Sequence, residues 1–432
     1  MPRRWTRAVS MRGLTILCVI SFLGCGGTSE TPRSDAVDSA VSADTSGVAD
    51  SAVVDSVESA DGTETQDTPD TAVAPDTESS HDSTATADTV VDTVVPTDEC
   101  PAPKGGIIWQ GKRRFMHGIN YAWHHFAGDF GGIGTWNQAG VSGALETHRT
   151  ALAEMKARGV GVVRWWVWPD LRGDGIVTDG NGVPTGLGGT VLADLNAALT
   201  LAEEADVYLM LCLFSFDGFH PSRDVSGRWT PGLTSVVTAD EARASLITNV
   251  VVPFAQAAAA HPHADRLLSW DLINEPEWAI TGESLYGDPD FDPISALVPV
   301  SHRQMETFLA ELTTALRRES DALITVGGAA IKWVRTWSQL DLDFDQFHVY
   351  DWIDTFWPYD STPASYGLTT RPVILGEFPI GGLSRASYAT MLPALWDAGY
   401  AGAMGWQYIE ATSSQLDAAE TFSDARPCQT AY

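Results

Sequence analysis

Two glutamates, 102 residues apart in the chain, have the residue type and the setting of a catalytic carboxylate pair. Glu275 closes the apolar run 267–275, and Glu377 closes the shorter run 372–377. Each run has the length and β-branched content of a fully buried parallel strand. Where two such strand ends meet, one carboxyl group can protonate a glycosidic oxygen while the other acts as nucleophile or base. The pair therefore predicts cleavage of a glycosidic bond.

From about residue 100 onward, strand-like apolar runs alternate with helical patterns, and these elements must position the two carboxylates. Continuously apolar strands that alternate with helices predict a parallel sheet covered on both faces. Eight strands favour an α/β fold of the (β/α)8 (TIM) barrel class, in which catalytic side chains lie at the C-terminal strand ends. The predicted strands are 115–120, 161–166, 207–214, 267–274, 322–327, 344–350, 373–377 and 402–407, and the predicted helices are 145–158, 190–205, 242–260, 302–318 and 386–397.

Five further residues on these strands could support the chemistry. Arg164 lies in a strand that otherwise excludes charge, so its guanidinium needs an anionic partner. Asn274 lies at a strand end, and His348 and Tyr350 are two residues apart, so they share one face of a strand. Trp406 lies in the last strand. Four of them have a structural alternative: an ion pair elsewhere for Arg164, a strand-end cap for Asn274, a core histidine for His348 and core packing for Trp406.

Taken together, these positions resemble the retaining clan-A glycoside hydrolases. The motifs are Asn274-Glu275-Pro276 on strand four and Gly376-Glu377-Phe378 on strand seven, with further matches on strands two, six and eight. Within the clan, the chain is most similar to glycoside hydrolase family 5, the cellulase and β-mannanase group. The resemblance covers roughly residues 105–410.

The resemblance implies a role for each residue. Glu275 is expected to be the general acid/base and Glu377 the nucleophile. Arg164 is expected to hold Glu377 ionised and oriented, with Tyr350 also on Glu377. The remaining implied roles concern substrate: Asn274 donates to the sugar 2-hydroxyl, His348 contacts substrate hydroxyls, and Trp406 stacks on the sugar at the cleavage point.

One feature of the family pattern is missing. The family usually has a histidine just after strand three, whereas this chain reads Phe-Ser-Phe-Asp-Gly-Phe before His220. His220 is expected to lie too far along the chain. His124 or His125 on the first loop, or Asp217, are the candidates to replace it.

The first 99 residues differ from the rest. Residues 1–25 contain four arginines, a short apolar run and Leu-Gly-Cys25, which predicts a secretory signal of the lipoprotein type with lipidation of Cys25. Residues 26–99 contain 18 acidic residues and one Arg, with no aromatic residue, and predict a disordered linker. Residues 100–432 are then the catalytic domain. An exported protein anchored by lipid at the cell envelope or surface is expected, or an extracellular one.

Charge and cysteines limit the possible partners and the compartment. The net charge of −30 includes −17 from residues 100–432, which argues against nucleic acid and anionic membrane surfaces as partners.

Cys100 and Cys428 bracket the domain and could form a disulfide in an exported protein, while Cys212 is expected to be buried. No Gly-x-Gly-x-x-Gly follows a strand and no zinc spacing occurs, so neither a cofactor nor a metal is expected. The chain is expected to be a monomer.

The resulting interpretation is a retaining endo-β-glycosidase that hydrolyses a neutral β-linked polysaccharide, with β-mannan and β-glucan as leading substrates. A transglycosylase could use the same residues. Two alternatives from other classes are a surface barrel that binds glycan without cleaving it, and a metal-dependent barrel enzyme in which the carboxylates are ligands.

Overall fold

The computed structural model describes residues 100–352 and 361–432. The predicted signal at 1–25, the lipidation site Cys25 and the linker at 26–99 lie outside the described residues. These three interpretations therefore stay predictions. What the structure describes is the domain that contains both glutamates.

Eight parallel strands close into a barrel, which confirms the predicted (β/α)8 class. Each strand pairs with its neighbours in the chain, and the last strand pairs with the first. The strands are β1 (Met116–Asn120), β2 (Val162–Trp166), β3 (Tyr208–Ser215), β4 (Leu267–Asn274), β5 (Leu323–Gly328), β6 (Asp345–His348), β7 (Val373–Pro379) and β8 (Gly402–Trp406).

The predicted strands differ from the observed ones by at most two residues at either end. Two differences concern the site. Strand β6 ends at His348, so Tyr350 lies beyond the strand that was predicted to contain it. Strand β7 continues to Pro379, so Glu377 lies inside the strand and not at its last residue. Both differences lie beside the hydrogen bond of 2.8 Å from the Tyr350 hydroxyl to Glu377 Oε2, which joins these two neighbouring strands.

Helices cover the outside of the barrel, and all five predicted helical segments are helical. The α-helices are α1 (Leu145–Ala157), α2 (Val191–Ala205), α3 (Thr234–Thr238), α4 (Asp240–Leu246), α5 (Val252–Ala259), α6 (His302–Glu319), α7 (Tyr388–Ala398) and α8 (Ser413–Asp424). Among the described residues, no helix combines the length and the apolar character needed to cross a bilayer. Between β5 and β6 the connection is short and contains the 3-10 helix Ile331–Trp333.

The predicted helix 242–260 is interrupted by a π turn. Helices α4 and α5 flank the π-helical residues Ile247–Val251, and Pro253 lies in the first turn of α5. A proline ring collides with the carbonyl four residues earlier in a regular α-helix, and it has no N–H to donate. The wider π turn accommodates Pro253 without ending the helix.

Short two-stranded hairpins extend from the barrel. The hairpin Ile176–Thr178 with Pro184–Leu187 follows β2, as its Asp-Gly-Asn-Gly sequence predicts. A second hairpin, Arg223–Val225 with Arg228–Thr230, follows β3. Another precedes β1, Ile107–Trp109 with Lys112–Arg114, and the parallel pair Ile280–Thr281 with Val300–Ser301 follows β4. The remaining 3-10 helices include Gly134–Trp136, Val141–Gly143, Phe216–Phe219, Ala264–Arg266, Pro276–Ala279, Pro363–Tyr366 and Tyr408–Glu410.

The two ends of the domain meet at the N-terminal face of the barrel. Cys100 and Cys428 form a disulfide across 328 residues, with their Cα atoms 5.7 Å apart. The backbone N–H of Phe115 also donates to Gln429 O at 2.8 Å, and the Arg114 guanidinium donates to Ala431 O at 2.7 Å. The domain is thus closed at the face opposite the two glutamates.

Candidate active site

Both glutamates lie buried at the C-terminal face of the barrel. Glu275 follows β4 immediately and adopts a left-handed backbone conformation with φ of 48°, which turns the chain out of the strand. Its N–H donates to Gly327 O of β5 at 2.6 Å, which fixes that turn. Glu377 lies in β7, in register with His348 of β6. A non-glycine residue at positive φ is uncommon, and such residues occur often at functional sites.

The two carboxylates are close enough to act on one bond. One oxygen of Glu275, one oxygen of Glu377 and a ring nitrogen of His348 all lie within 4.8 Å of one another. Enzymes that invert the anomeric configuration need carboxyl groups about 6.5–9.5 Å apart to admit a water, whereas retaining enzymes place them about 5–5.5 Å apart. The close approach of one oxygen from each glutamate favours direct attack by a carboxylate over a water held between the two.

Arg164 lies at the centre of a buried charge network. It donates through Nη1 to Glu377 Oε1 at 2.6 Å and through Nε to Asp271 Oδ2 at 2.8 Å. Its Nη atoms also bond to the amide oxygens of Asn120 at 3.0 Å and Asn274 at 2.9 Å. The guanidinium therefore has the anionic partner that its sequence setting requires, and a second carboxylate besides. A fully buried cation is tolerated only when its donors are satisfied in this way.

Glu377 accepts one hydrogen bond on each oxygen. Arg164 bonds to Oε1, and the hydroxyl of Tyr350 donates to Oε2 at 2.8 Å. Burial, and then the charges of the two glutamates, raise the pKa of Tyr350 well above its usual value, so the hydroxyl keeps its proton. Although Tyr350 lies beyond the end of β6, it reaches the partner that the resemblance implies.

Each oxygen of Glu275 has a different polar partner. His348 Nδ1 lies 2.8 Å from Glu275 Oε1, and the indole N–H of Trp278 donates to Oε2 at 2.9 Å. Burial, and then the positive charge of Arg164, lower the pKa of His348 well below its usual value, so the imidazole is neutral. Since His348 is fully buried between the two glutamates, its observed contacts are with them.

The two glutamates have different electrostatic surroundings. Burial raises the pKa of both carboxyl groups, because each loses water. The negative charge of Glu377 raises the pKa of Glu275 further, whereas Arg164 and Tyr350 act to lower that of Glu377. A single proton shared by the pair therefore resides on Glu275. This arrangement provides one acid and one ionised carboxylate at the same pH.

Trp406 belongs to an aromatic cluster beside this network. Its ring centroid lies 5.9 Å from that of Trp123 and 5.6 Å from that of Trp166, and Phe126 packs on Trp123 at 4.9 Å. Trp406 and Trp123 are half-buried and keep part of their surface open. The guanidinium of Arg164 lies 5.6 Å from the centre of the Trp166 ring, so the cluster adjoins the carboxylates. Open aromatic surface of this kind can stack on the apolar faces of sugars.

The candidates for the missing histidine have other partners. His220 Nδ1 lies 3.2 Å from Ala296 O, and the Asp217 carboxylate accepts from Ser215 Oγ at 2.8 Å. The rings of His124 and His125 pack on each other with centroids 4.3 Å apart, and their backbone N–H groups donate to Asp129. In the described part of the chain, no hydrogen bond joins any of these four side chains to Glu275 or Glu377. The donor next to Glu275 is instead the indole of Trp278.

Glu275, His348 and Glu377 are also close enough together to hold a metal ion. The surroundings of these residues do not fit one. Arg164 already places a positive charge 2.6 Å from Glu377 Oε1, and Tyr350 and Trp278 donate to Glu377 Oε2 and Glu275 Oε2. The remaining oxygen, Glu275 Oε1, lies 2.8 Å from His348 Nδ1. A cation would have to displace those donors and approach a guanidinium, which is electrostatically unfavourable.

Sequence reasoning missed four residues that contact the site. Asp271 and Gln346 extend the Arg164 network, with Gln346 Nε2 donating to Asp271 Oδ2 at 2.9 Å. Asn120 joins β1 to β7 and β8 by donating to Gly376 O at 2.9 Å and Gly405 O at 3.2 Å. The fourth is Trp278. Asp271 could have been found, because it is a lone acidic residue in a buried strand, as Arg164 is a lone basic one.

The network makes a prediction for Arg164→Met. This variant leaves Asp271 and Glu377 buried without a cation, which we expect to cost about 3–5 kcal/mol of unfolding free energy. Arg164→Lys, which keeps the charge but loses the bidentate geometry, should lose less. Urea unfolding measures both effects. Arg149→Met is the matched control, since Arg149 pairs with Glu204 at the surface, and equal loss in the two methionine variants would contradict the assignment.

Comparisons with known proteins agree with this geometry. A protein from Mytilus edulis named mannan endo-1,4-beta-mannosidase is 25% identical over 329 residues, which cover 69% of this chain and 84% of the relative. A protein of the same name from Cryptopygus antarcticus is 23% identical over 372 residues, which cover 75% and 87% respectively. The solved structure of the β-mannanase from Mytilus edulis has a TM-score of 0.61 at 22% identity and covers 74% of this chain and 96% of its own.

No protein-family model matches the chain. The likeness to the solved structure concerns the barrel fold, whereas the two sequence relatives extend it to the kind of enzyme. Together with the carboxylate pair and the network around it, they confirm the resemblance drawn from the motifs. The chain is an O-glycoside hydrolase whose site residues resemble those of the retaining clan-A glycoside hydrolases, most of all glycoside hydrolase family 5.

Proposed function

We propose that this protein is an endo-acting mannanase that hydrolyses the β-1,4 linkages of mannan with retention of configuration. The main observation behind the proposal is the buried pair Glu275 and Glu377, which have carboxylate oxygens within 4.8 Å of each other. Their surroundings favour a protonated Glu275 and an ionised Glu377. The choice of mannan rests on the two sequence relatives, both named mannan endo-1,4-beta-mannosidase.

In the first step, Glu377 attacks the anomeric carbon of the sugar. A bond forms between that carbon and a carboxylate oxygen, while the bond from the carbon to the glycosidic oxygen breaks. The electron pair of the broken bond goes to the leaving oxygen, which takes the proton of Glu275. As Glu377 loses its charge, one of the two main causes of the raised pKa of Glu275 is removed while burial remains, so Glu275 gives up its proton more readily.

In the second step, Glu275 acts as a base. It takes a proton from a water, whose oxygen attacks the anomeric carbon and releases Glu377. Two inversions at the same carbon give net retention. Arg164 and Tyr350 hold Glu377 in place and stabilise it as the leaving group, since both donate to its oxygens.

The remaining residues of the site bind and orient the sugar. The amide oxygen of Asn274 accepts a hydrogen bond from Arg164, so the amino group of Asn274 is left to donate to the sugar 2-hydroxyl. Trp406 supplies a half-open ring beside the carboxylates. His348 acts on substrate through Glu275, because Nδ1 contacts that carboxylate and the ring is fully buried.

The proposal is tested by incubating the protein with β-1,4-mannan, cellulose, xylan, laminarin and mixed-linkage glucan and measuring new reducing ends. Release from mannan, with a fall in viscosity before much sugar is released, is the expected result of internal cleavage. Release from another polymer alone would overturn the choice of mannan. Binding to a polymer without release would favour the non-hydrolytic barrel, and loss of activity with chelator would favour the metal enzyme.

We also propose that the protein is exported and anchored by lipid at Cys25, with residues 26–99 as a tether and the domain as a monomer. The basic and apolar residues before Cys25 support export. A disulfide between Cys100 and Cys428 fits an oxidising compartment. Partition of the full chain into detergent, lost in Cys25→Ser, tests the anchor.

A further inference from the structure

Glu277 is a buried acidic residue that takes no part in either step of the proposed reaction. It lies two residues after Glu275 in the 3-10 helix Pro276–Ala279 and is 1% exposed. Its carboxylate accepts from Ala329 N at 3.0 Å and from the indole N–H of Trp337 at 2.7 Å. No basic side chain forms an ion pair with it among the described residues. Burying a carboxylate without a cation is costly, which makes a further role for its charge worth testing.

The position of Glu277 relates it to the catalytic acid. Trp278 directly follows Glu277 in the same 3-10 turn. Its indole N–H donates to Glu275 Oε2 at 2.9 Å. Ala329 immediately follows β5, and Gly327 of that strand accepts the backbone N–H of Glu275. The hydrogen bond from Ala329 N to Glu277 therefore holds the turn that contains Trp278 against the end of β5. The same strand end positions Glu275 through Gly327 O.

We propose that Glu277 is a positioning residue for the acid/base carboxyl, acting on Glu275 in two ways. It fixes the Pro276–Ala279 turn so that Trp278 bonds to Glu275, and its negative charge keeps the proton on Glu275 until the leaving group takes it. The inference rests on the proposed function, since it deepens the role of Glu275 in that reaction.

The charges around Glu275 decide the sign of the effect. Arg164 from β2 favours the ionised form of Glu275, and Glu377 from β7 opposes it, while His348 from β6 is neutral. The charge of Glu277 acts in the same direction as that of Glu377. Burial raises the pKa of Glu277 to about 7, so its charge develops as the pH rises through neutrality, where Glu275 must still hold its proton. The negative charge of Asp288 also raises the pKa of Glu277.

The experiment compares pH profiles of kcat/KM on mannan for the full chain and three variants. Glu277→Gln removes the charge but sets an amino group against one of the two N–H donors. Glu277→Gln with Trp337→Phe removes the charge and also that opposed donor, so it should fold more stably than the single variant. Trp337→Phe alone keeps the charge and serves as the matched control.

We expect the alkaline limb of the profile to move down by roughly one pH unit in both variants that lack the charge, and not in Trp337→Phe. Activity at pH 8 should then fall about tenfold, with kcat affected more than KM. Alkaline limbs that coincide with that of the unaltered protein would overturn the inference, as would a shift in Trp337→Phe of the same size. An inactive unaltered protein would instead refute the proposed function, so the two failures are distinct.

Discussion

Glu377→Ala should abolish mannan hydrolysis while the barrel still folds. The variant removes the group that forms the bond to the anomeric carbon, and water admitted in its place has neither the position nor the charge of the carboxylate. Loss of a nucleophile that acts as part of such a unit costs a factor on the order of 10⁴ or more in kcat. Release of reducing ends from mannan, followed to long incubation times, measures that loss.

The fold should survive because Arg164 does not lose its only anion. Its Nε and one Nη remain bonded to Asp271, and its other donors remain bonded to Asn120 and Asn274. The circular dichroism and melting temperature of Glu377→Ala should therefore stay near those of the unaltered protein. Glu283→Ala is the matched control, because Glu283 is exposed on the segment that follows β4. Substantial mannan hydrolysis by Glu377→Ala would refute the nucleophile assignment.

The same step can be detected directly on the unaltered protein. A mannoside with fluorine at carbon 2 and a good leaving group forms the glycosyl-enzyme, but it reacts slowly in the second step because fluorine destabilises the cationic transition state. We expect one sugar per chain, attached to the peptide that contains Glu377, by mass spectrometry. Attachment to Glu275 instead would reverse the two roles.

The barrel could be predicted from sequence because its strands are buried on both faces. A parallel strand inside a barrel has no polar side to interrupt the apolar run, so each of the eight strands stood out against its amphipathic neighbours. Strand ends were less certain, and for a specific reason. Tyr350 alternates with His348 in the sequence as strand residues do, yet β6 ends at His348 and Tyr350 reaches Glu377 from beyond the strand.

The candidate site could be predicted where a residue is out of place in its strand or belongs to a motif. Arg164 needed an anion, and the motifs around Glu275 and Glu377 identified the carboxylates. Trp278 has no such signal, because a tryptophan after a strand is equally typical of core packing. Its role depends on the left-handed turn at Glu275, which brings the indole N–H back to the carboxylate three residues earlier. Backbone conformation of that kind is not visible in the order of residues.

Glu275→Ala should lose mannan hydrolysis by a factor of roughly 10²–10⁴, since both steps on mannan need its proton transfer. The result should differ for an aryl mannoside whose phenol leaves without protonation. Glu377 can then still attack, so a burst of phenol appears and the glycosyl-enzyme accumulates. Turnover stays slow because no base activates water. Glu283→Ala again controls for a change of charge near the site, and it should hydrolyse both substrates normally.

Azide distinguishes the two glutamates through the configuration of the product. It is a nucleophile that needs no base. In Glu275→Ala, azide attacks the glycosyl-enzyme on Glu377 and should restore turnover of the aryl mannoside, giving the β-mannosyl azide by two inversions. In Glu377→Ala, azide occupies the space of the missing carboxylate and attacks the substrate once, which gives the α-mannosyl azide. Proton NMR of the two products tests both assignments together, because exchanged roles would exchange the two configurations.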